Sequence, residues 1–284
     1  MEGSISKAVL ITGCSTGIGR ATAEHLAARG WNVYATARKL DSISDLAQRG
    51  CKVMALDVCD DNSMRAAVEA IEKAEGAIGV LINNAGYGQE GPVEEVPMEQ
   101  VRRQFETNVF GLTRLMQLVL PGMRRQRWGK IVNLSSMGGK LTFPGGGFYH
   151  ATKHAVEALS DALRFEVRAF GVDVIIIEPG PIKTSFGDTA IDSIHSAAAS
   201  QSPYAGFNAV VAQKVREAYE GPMAMMAAGP EAVAQVIEKA IAARRPKTRY
   251  PVTVAARFLM GLRRWLPDRA FDAFLRTQFP PPKA

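Results

Sequence analysis

What most constrains this chain is a repeated switch of periodicity along residues 1–180. Short apolar runs at residues 8–11, 32–36, 52–56, 79–82, 130–134 and 172–177 are bounded by turn-forming residues and have the length of buried strands. Among them, residues 20–29, 62–75, 98–125 and 151–169 carry apolar side chains at three- and four-residue spacing, the stripe of an amphipathic helix. Strand and helix in alternation predict βαβ units, because parallel strands must be joined by a crossover. Right-handed crossovers on both faces give an α/β fold, an open, doubly wound parallel sheet whose ligands sit beyond the carboxyl ends of its strands. The chemistry is therefore expected in segments that follow strands.

Past residue 184 the alternation fades. Residues 185–229 mix Ala, Met, Ser and Gly with scattered aromatics and carry no strong strand signal, which predicts a helical substrate lid. Residues 230–244 predict a helix with Pro230 in its first turn, and residues 250–254 a last strand. The segment 257–279 predicts an amphipathic C-terminal helix, with Phe258, Leu259, Leu262, Trp265 and Leu266 on one side and Arg257, Arg263 and Arg264 on another. Such a helix can dock on its own domain, on a second subunit or on a membrane surface. No linker interrupts residues 1–180, and the proline cluster Pro280, Pro281 and Pro282 stands at the end. One domain over 1–284 is expected, its cofactor and catalytic core at 5–184.

With 47% hydrophobic and 22% charged residues in 284, the composition is that of an ordinary globular protein with a sizeable core. A net charge of +6 raises the question of an anionic partner. The excess is scattered over Arg-bearing helix faces rather than gathered in one tract, and no nucleic-acid-binding signature occurs, so nucleic acid is not an expected partner. Cys14, Cys51 and Cys59 make neither an even disulfide framework nor a CxxC pair, and are expected as buried thiols in a reducing, cytoplasmic setting. The start runs into the first strand with no charged leader and cleavable apolar stretch, and no apolar run reaches the roughly 20 residues of a membrane span. His25, His150, His154 and His195 do not combine with Cys or carboxylates at recognised ligand spacing, so no metal is expected.

Directly after the first strand, Thr12-Gly13-Cys14-Ser15-Thr16-Gly17-Ile18-Gly19 opens the first helix. Backbone N–H groups at a helix start favour an anion, and glycine is needed where a Cβ would obstruct the tight turn or an approaching phosphate. Three glycines describe many turns; placed between a strand and a helix, they point to a pyrophosphate. The second strand runs into Ala37-Arg38-Lys39, where a dinucleotide fold presents its ribose-recognising side chain, and no Asp or Glu stands there. Arg38 offers a planar fork of donors suited to a 2′-phosphate, with Lys39 as a second donor, so NADP(H) is favoured over NAD(H). The bland alternative is an exposed Arg on a solvated loop. Asp57, followed by Val58, is placed to accept from an adenine amino group or to cap the turns at residues 60–62. Asn83-Asn84-Ala85-Gly86 is either an Asn-rich turn or a set of small residues against which a cofactor packs.

Tyr149 and Lys153 are four apart in a helical pattern, so both project from one face. A phenol titrating near pH 10 is a poor acid or base at neutral pH until an ammonium beside it favours the phenolate, and Lys153 can supply that charge. Tyr149 would then protonate the oxygen formed in carbonyl reduction and deprotonate the alcohol in the reverse direction. Ser136, thirteen residues earlier and just past the fifth strand, has a hydroxyl that could hold the substrate oxygen; Ser135 is its rival.

Taken together, Thr12-Gly13-x-x-x-Gly17-x-Gly19, Asn83-Asn84-Ala85-Gly86, Asn108, Ser136, Tyr149-x-x-x-Lys153 and Pro179-Gly180-x-x-x-Thr184 resemble the short-chain dehydrogenase/reductase family over about residues 5–185. The resemblance implies a Rossmann fold, a catalytic triad of Ser136, Tyr149 and Lys153, and Asn108 joined to Lys153 through a water-linked proton relay. It implies that Lys153 also holds the nicotinamide ribose, that Pro179, Gly180, Ile182 and Thr184 hold the carboxamide end, and that Ser15, Ile18 and Arg38 attend the phosphates. Residues 32–38 and 266–272 look like the hydroxysteroid and retinol dehydrogenase branch, which suggests a lipophilic carbonyl or alcohol substrate under a lid containing Met223, Met225, Met226 and Phe207. A homodimer or homotetramer paired through residues 98–125 and 151–169 is expected by the same resemblance. The rival reading is a non-catalytic dinucleotide-binding regulator, against which the intact Ser136, Tyr149 and Lys153 argue.

Overall fold

A computed structural model describes residues 5–197, 202–220 and 227–279. Its centre is a seven-stranded parallel sheet in the order β3-β2-β1-β4-β5-β6-β7. The strands are β1 (Val9–Ile11), β2 (Val33–Ala37), β3 (Lys52–Ala55), β4 (Val80–Asn83), β5 (Gly129–Leu134), β6 (Val172–Glu178) and β7 (Arg249–Pro251). The helices are α1 (Gly17–Ala28), α2 (Asp61–Glu75), α3 (Met98–Phe105), α4 (Gly111–Arg125), α5 (Gly147–Val167), α6 (Phe186–Ala197), α7 (Ala205–Glu220), α8 (Pro230–Ala242), α9 (Val254–Trp265) and α10 (Asp268–Gln278).

The central strands are covered on both faces, which is why they read as unbroken apolar runs rather than as alternating patterns. The pleat sends Val9 and Ile11 to one side, where Ala23 and Leu26 of α1 and Val233, Ile237 and Ile241 of α8 meet them. Leu10 points the other way, onto Met64, Val68 and Ile71 of α2 and Leu112, Leu115 and Val119 of α4. Strand order reverses between β1 and β4, and the crevice that opens at such a switch point faces the turns after those two strands.

Four local expectations are corrected. The helix expected over 98–125 is interrupted by a π-helical turn, Glu106–Phe110, that carries Asn108; such turns accompany functional residues more often than chance. The last strand is shorter than 250–254, because the Thr253 hydroxyl accepts the N–H of Ala256 and starts α9. The tail forms two helices, since Pro267 cannot continue α9, and its apolar side is divided: Ala255, Ala256 and Phe271 are buried, whereas Phe258 is 61% and Trp265 82% exposed. Cys14 and Cys51 are buried free thiols, but Cys59 is exposed, its sulfur 3.3 Å from the Thr107 hydroxyl. The lid is helical in α6 and α7, while Met223, Met225 and Met226 lie outside the described residues.

The last strand is held by charge. Arg249 reaches Glu157 at 3.0 Å, Asp161 at 2.6 Å and Glu178 at 3.5 Å, and Lys140 meets Glu157 at 2.8 Å. Burial, and then Glu157 beside it, push the Glu178 carboxyl above its ordinary value, with Arg249 opposing them. Arg249→Leu removes that compensation and leaves two buried carboxylates facing each other. Urea unfolding is expected to show a loss of about 3 kcal/mol, the scale of breaking a buried ion pair from one side.

Candidate active site

The turn after β1 is built around glycines that cannot be replaced without displacing backbone. Gly13 holds φ +73°, and a Cβ there would stand 2.9 Å from the Ala85 Cα; a Cβ on Gly19 would collide with the Gly13 carbonyl. The turn is braced from β4. Asn84 donates from Nδ2 to the carbonyls of Thr12 (2.8 Å) and Gly13 (3.1 Å), and the Thr12 hydroxyl accepts the N–H groups of Asn84 and Ala85, both at 3.0 Å. Asn84 is thus a strut for the glycine turn, while exposed Gly86 is the bare member of its motif.

Thr16 precedes α1 without a side-chain cap, so the first-turn amides remain directed outward between half-buried Ser15 and Ile18. Gly17, at φ +57°, lies under Thr184: a Cβ on it would be 3.2 Å from the threonine methyl. An uncapped helix start beneath a turn kept free of side chains fits a dinucleotide pyrophosphate. Arg38 and Lys39 are exposed at the end of β2, and neither side chain makes a hydrogen bond or ion pair with another described residue. Asp57 accepts the Cys59 N–H at 3.0 Å, the turn-capping alternative, and Val58 is buried against Gly111.

Lys153 is the buried cation of the site. Its Nζ donates 2.7 Å to the Leu134 carbonyl at the end of β5 and lies 5.8 Å from the centre of the Tyr149 ring. Burial pulls its pKa down to about 8, with Glu157 opposing the shift. A Cβ on Gly86 would be 3.8 Å from this ammonium and 3.0 Å from Asn108 Oδ1, which places the two groups at one spot. Asn108 is fixed there by donating to the Tyr87 carbonyl (2.9 Å) and the Thr152 hydroxyl (3.1 Å) and accepting the Tyr87 N–H (3.1 Å).

The two serines have opposite fates. Ser135 is buried, with its hydroxyl against Gly139, whereas Ser136 is half-buried and its Oγ accepts the Gly138 N–H at 3.1 Å. Tyr149 is half-buried one turn before Lys153 on α5. The site therefore sets a hydroxyl, a phenol and a buried ammonium together at the carboxyl end of β5. An ammonium close to a phenol lowers the cost of the phenolate, the electrostatic setting that acid–base chemistry by a tyrosine requires.

Among the residues beyond β6, Pro179 accepts the Met137 N–H at 2.8 Å and Gly180 passes under Thr253. The Ile182 side chain is core, 4% exposed, and the backbone around it pairs with Ala228 in an isolated bridge, so only its backbone is placed to meet a ligand. Sequence reasoning named Thr12 only as the first member of the glycine motif, since its bracing role needs the β4 turn beside it, and weighed His150 only as a metal ligand. It also overlooked Glu90 and Phe186, which reach the Tyr149 side of the site from the β4–α3 loop and from α6. Surface hollows by Ile5, Trp31 and Glu75 and by Trp128, Gly171 and Ala243 hold none of these groups.

A sequence profile of the short chain dehydrogenases matches residues 7–193. The chain belongs to that family. Among its relatives, the uncharacterized oxidoreductase YbbO of Escherichia coli K12 is 37% identical over 96% of this chain and 95% of its own. The 3-ketodihydrosphingosine reductase of Bacteroides thetaiotaomicron is 36% identical over 94% and 96%. The NADPH-dependent 3-dehydrocapnine reductase of Ornithobacterium rhinotracheale is 35% identical over 93% and 94%. A short-chain dehydrogenase/reductase of Burkholderia phymatum, solved in complex with NAD, superposes with a TM-score of 0.77 at 26% identity, covering 98% of this chain and 97% of that one. This short-chain dehydrogenase is thus an oxidoreductase by family, and its glycine turn is of the kind that takes a nicotinamide cofactor. Among the described residues, no helix is long and apolar enough to cross a membrane.

Proposed function

We propose that this protein transfers a hydride between NADP(H) and the carbonyl or alcohol carbon of a lipophilic substrate. The observation that carries the reading is the buried Lys153 ammonium beside Tyr149, with half-buried Ser136 following the same strand end. In reduction, Ser136 holds the substrate oxygen and Tyr149 Oη delivers its proton there; in oxidation the phenolate takes that proton back. Lys153 lowers the cost of the phenolate, holds the nicotinamide ribose, and is resupplied with a proton through water beside Asn108. The turn of Gly13, Ser15, Thr16, Gly17, Ile18 and Gly19 would hold the pyrophosphate and the segment Pro179, Gly180, Ile182 and Thr184 the carboxamide end of a nicotinamide cofactor, which would supply or accept the hydride.

The exposed, unpaired guanidinium of Arg38, with Lys39 beside it and no carboxylate at the end of β2, supports NADP(H). A lipophilic substrate is supported by the walls that α6 and α7 contribute, where Ile194, Val211 and Phe207 pack with Phe279 of the tail, and by relatives named for reducing 3-keto and 3-dehydro compounds. The free thiols fit a reducing compartment, the cytoplasm. A regulator that keeps the fold without turnover has no observation in its favour.

The same reading pairs two or four copies through Phe110 on the approach to α4 and Leu159 and Phe165 of α5, all exposed, and lays Phe258 and Trp265 with Arg257 and Arg264 on an anionic membrane surface.

Tyr149→Phe removes the transferable proton and little else; NADPH oxidation should vanish while NADPH still quenches intrinsic fluorescence, and unchanged turnover refutes the assignment. In Arg38→Ala the Michaelis constant for NADPH should rise on the order of tenfold, with that for NADH nearly unmoved. Light scattering should give a dimer or tetramer that Phe165→Ser weakens. Sedimentation with anionic vesicles should carry down the full chain but not Trp265→Ser.

A further inference from the structure

Next to Tyr149 lies a pair of titratable groups that hydride transfer leaves unused. Glu90 sits in the loop between β4 and α3, and His150 follows Tyr149 on α5. A Cβ on Gly146 would stand 2.7 Å from His150 Nε2 and 2.8 Å from Glu90 Oε2, so these two atoms converge on one spot. His150 Nδ1 is 3.2 Å from the Gly138 carbonyl, an acceptor, and therefore carries the ring proton. Burial pulls the pKa of His150 to about 4, so the ring is neutral and its Nε2 presents a lone pair. Enclosure of the Glu90 carboxyl pushes its pKa up to about 8, although the residue as a whole keeps some exposure; no cation among the described residues offsets that burial. No hydrogen bond joins Glu90 to His150, and the Glu90 carboxyl has no hydrogen-bond partner among the described residues. Glu90 Oε2 and His150 Nε2 thus face one place with no hydrogen bond between them, and a cation brought there favours the Glu90 carboxylate.

That place belongs to the chamber in front of Tyr149. The Tyr149 ring lies 5.6 Å from His150 and 5.4 Å from Phe186, centre to centre, and Phe143 lies 6.0 Å from His150. Phe186 Cζ and Glu90 Oε1 flank the same glycine, Gly88, at 3.0 and 3.5 Å from its ideal Cβ.

We propose that Glu90 and His150 form a subsite for a protonated amino group that the substrate carries beside its reacting carbonyl or alcohol carbon. The inference rests on the reading of Tyr149 as the acid–base group. A primary ammonium has three donors and no acceptor, so it serves Glu90 Oε2 and His150 Nε2 together and brings the positive charge that Glu90 lacks. A hydroxyl has one hydrogen and serves only one of them. The apolar remainder of the substrate runs toward α6 and α7.

The test is calorimetric titration of the full-length protein, with and without NADP+, using 2-amino-3-decanol and its deamino counterpart 3-decanol. The wild type is expected to bind the amino alcohol at least about tenfold more tightly, the scale of one charge-assisted hydrogen bond, and Glu90→Gln to erase the difference. Glu90→Asp, which withdraws the carboxylate by one methylene, should lose most of it, and the wild-type comparison stands whether or not either variant folds. Equal binding of the two alcohols, binding of neither, or an amine preference that survives in Glu90→Gln overturns the subsite. NADPH oxidation with the matching ketones separates the two readings. Equal turnover of both ketones discards the subsite and keeps the dehydrogenase; amine-selective binding with turnover of neither does the reverse.

Discussion

The hydrogen bond from the Lys153 ammonium to the Leu134 carbonyl is the contact on which the site's geometry depends. A buried cation is costly, and one short bond to a strand-end carbonyl fixes where α5 can lie relative to β5. Once that is fixed, Tyr149 is set one turn away, and the bare backbone of Gly86 and the side chain of Asn108 close around the same ammonium. Asn108 reaches it because a π turn breaks the helix expected over 98–125 at that point. The fold accepts an irregular helix and a depressed lysine pKa in one place, the kind of perturbation that clusters at functional sites.

A second set of contacts ties the phosphate end to the chemical end. Thr12 and Asn84 exchange hydrogen bonds across the switch between β1 and β4, and Thr184 rests on Gly17 from the far side of the crevice. Small residues do the complementary work near Tyr149. Gly88, Gly138 and Gly146 stand where a Cβ would meet Phe186, His150 and Glu90. Their bareness leaves room for Glu90, His150 and Phe186 to come close beside Tyr149.

Much of this was legible in sequence because its signals are local. The six apolar runs became β1 to β6 with shifts of about a residue, since strands buried on both faces have no polar alternation to blur them. The places of the glycine turn, Arg38, Ser136, Tyr149 and Lys153 in the fold were legible for the same reason: each follows a strand or lies near the start of a helix. The tail was read as one helix where there are two, and its amphipathicity shows that a helix has two sides but not which side is covered: Phe258 and Trp265 are exposed. Cys59 likewise carries no mark distinguishing it from the buried Cys14 and Cys51.

Sequence by itself determined the parallel sheet, the helix that carries Tyr149 and Lys153, and the placement of chemistry after strands, because periodicity and chain direction decide those. Tertiary structure alone decided that Ser135 is buried while Ser136 is half-buried, that Asn84 braces a turn, that the Ile182 side chain is core, and that Glu90 and His150 both reach Gly146. Those outcomes depend on which groups from distant segments share one small volume. Burial and hydrogen-bond satisfaction are properties of that volume and of no single stretch of chain.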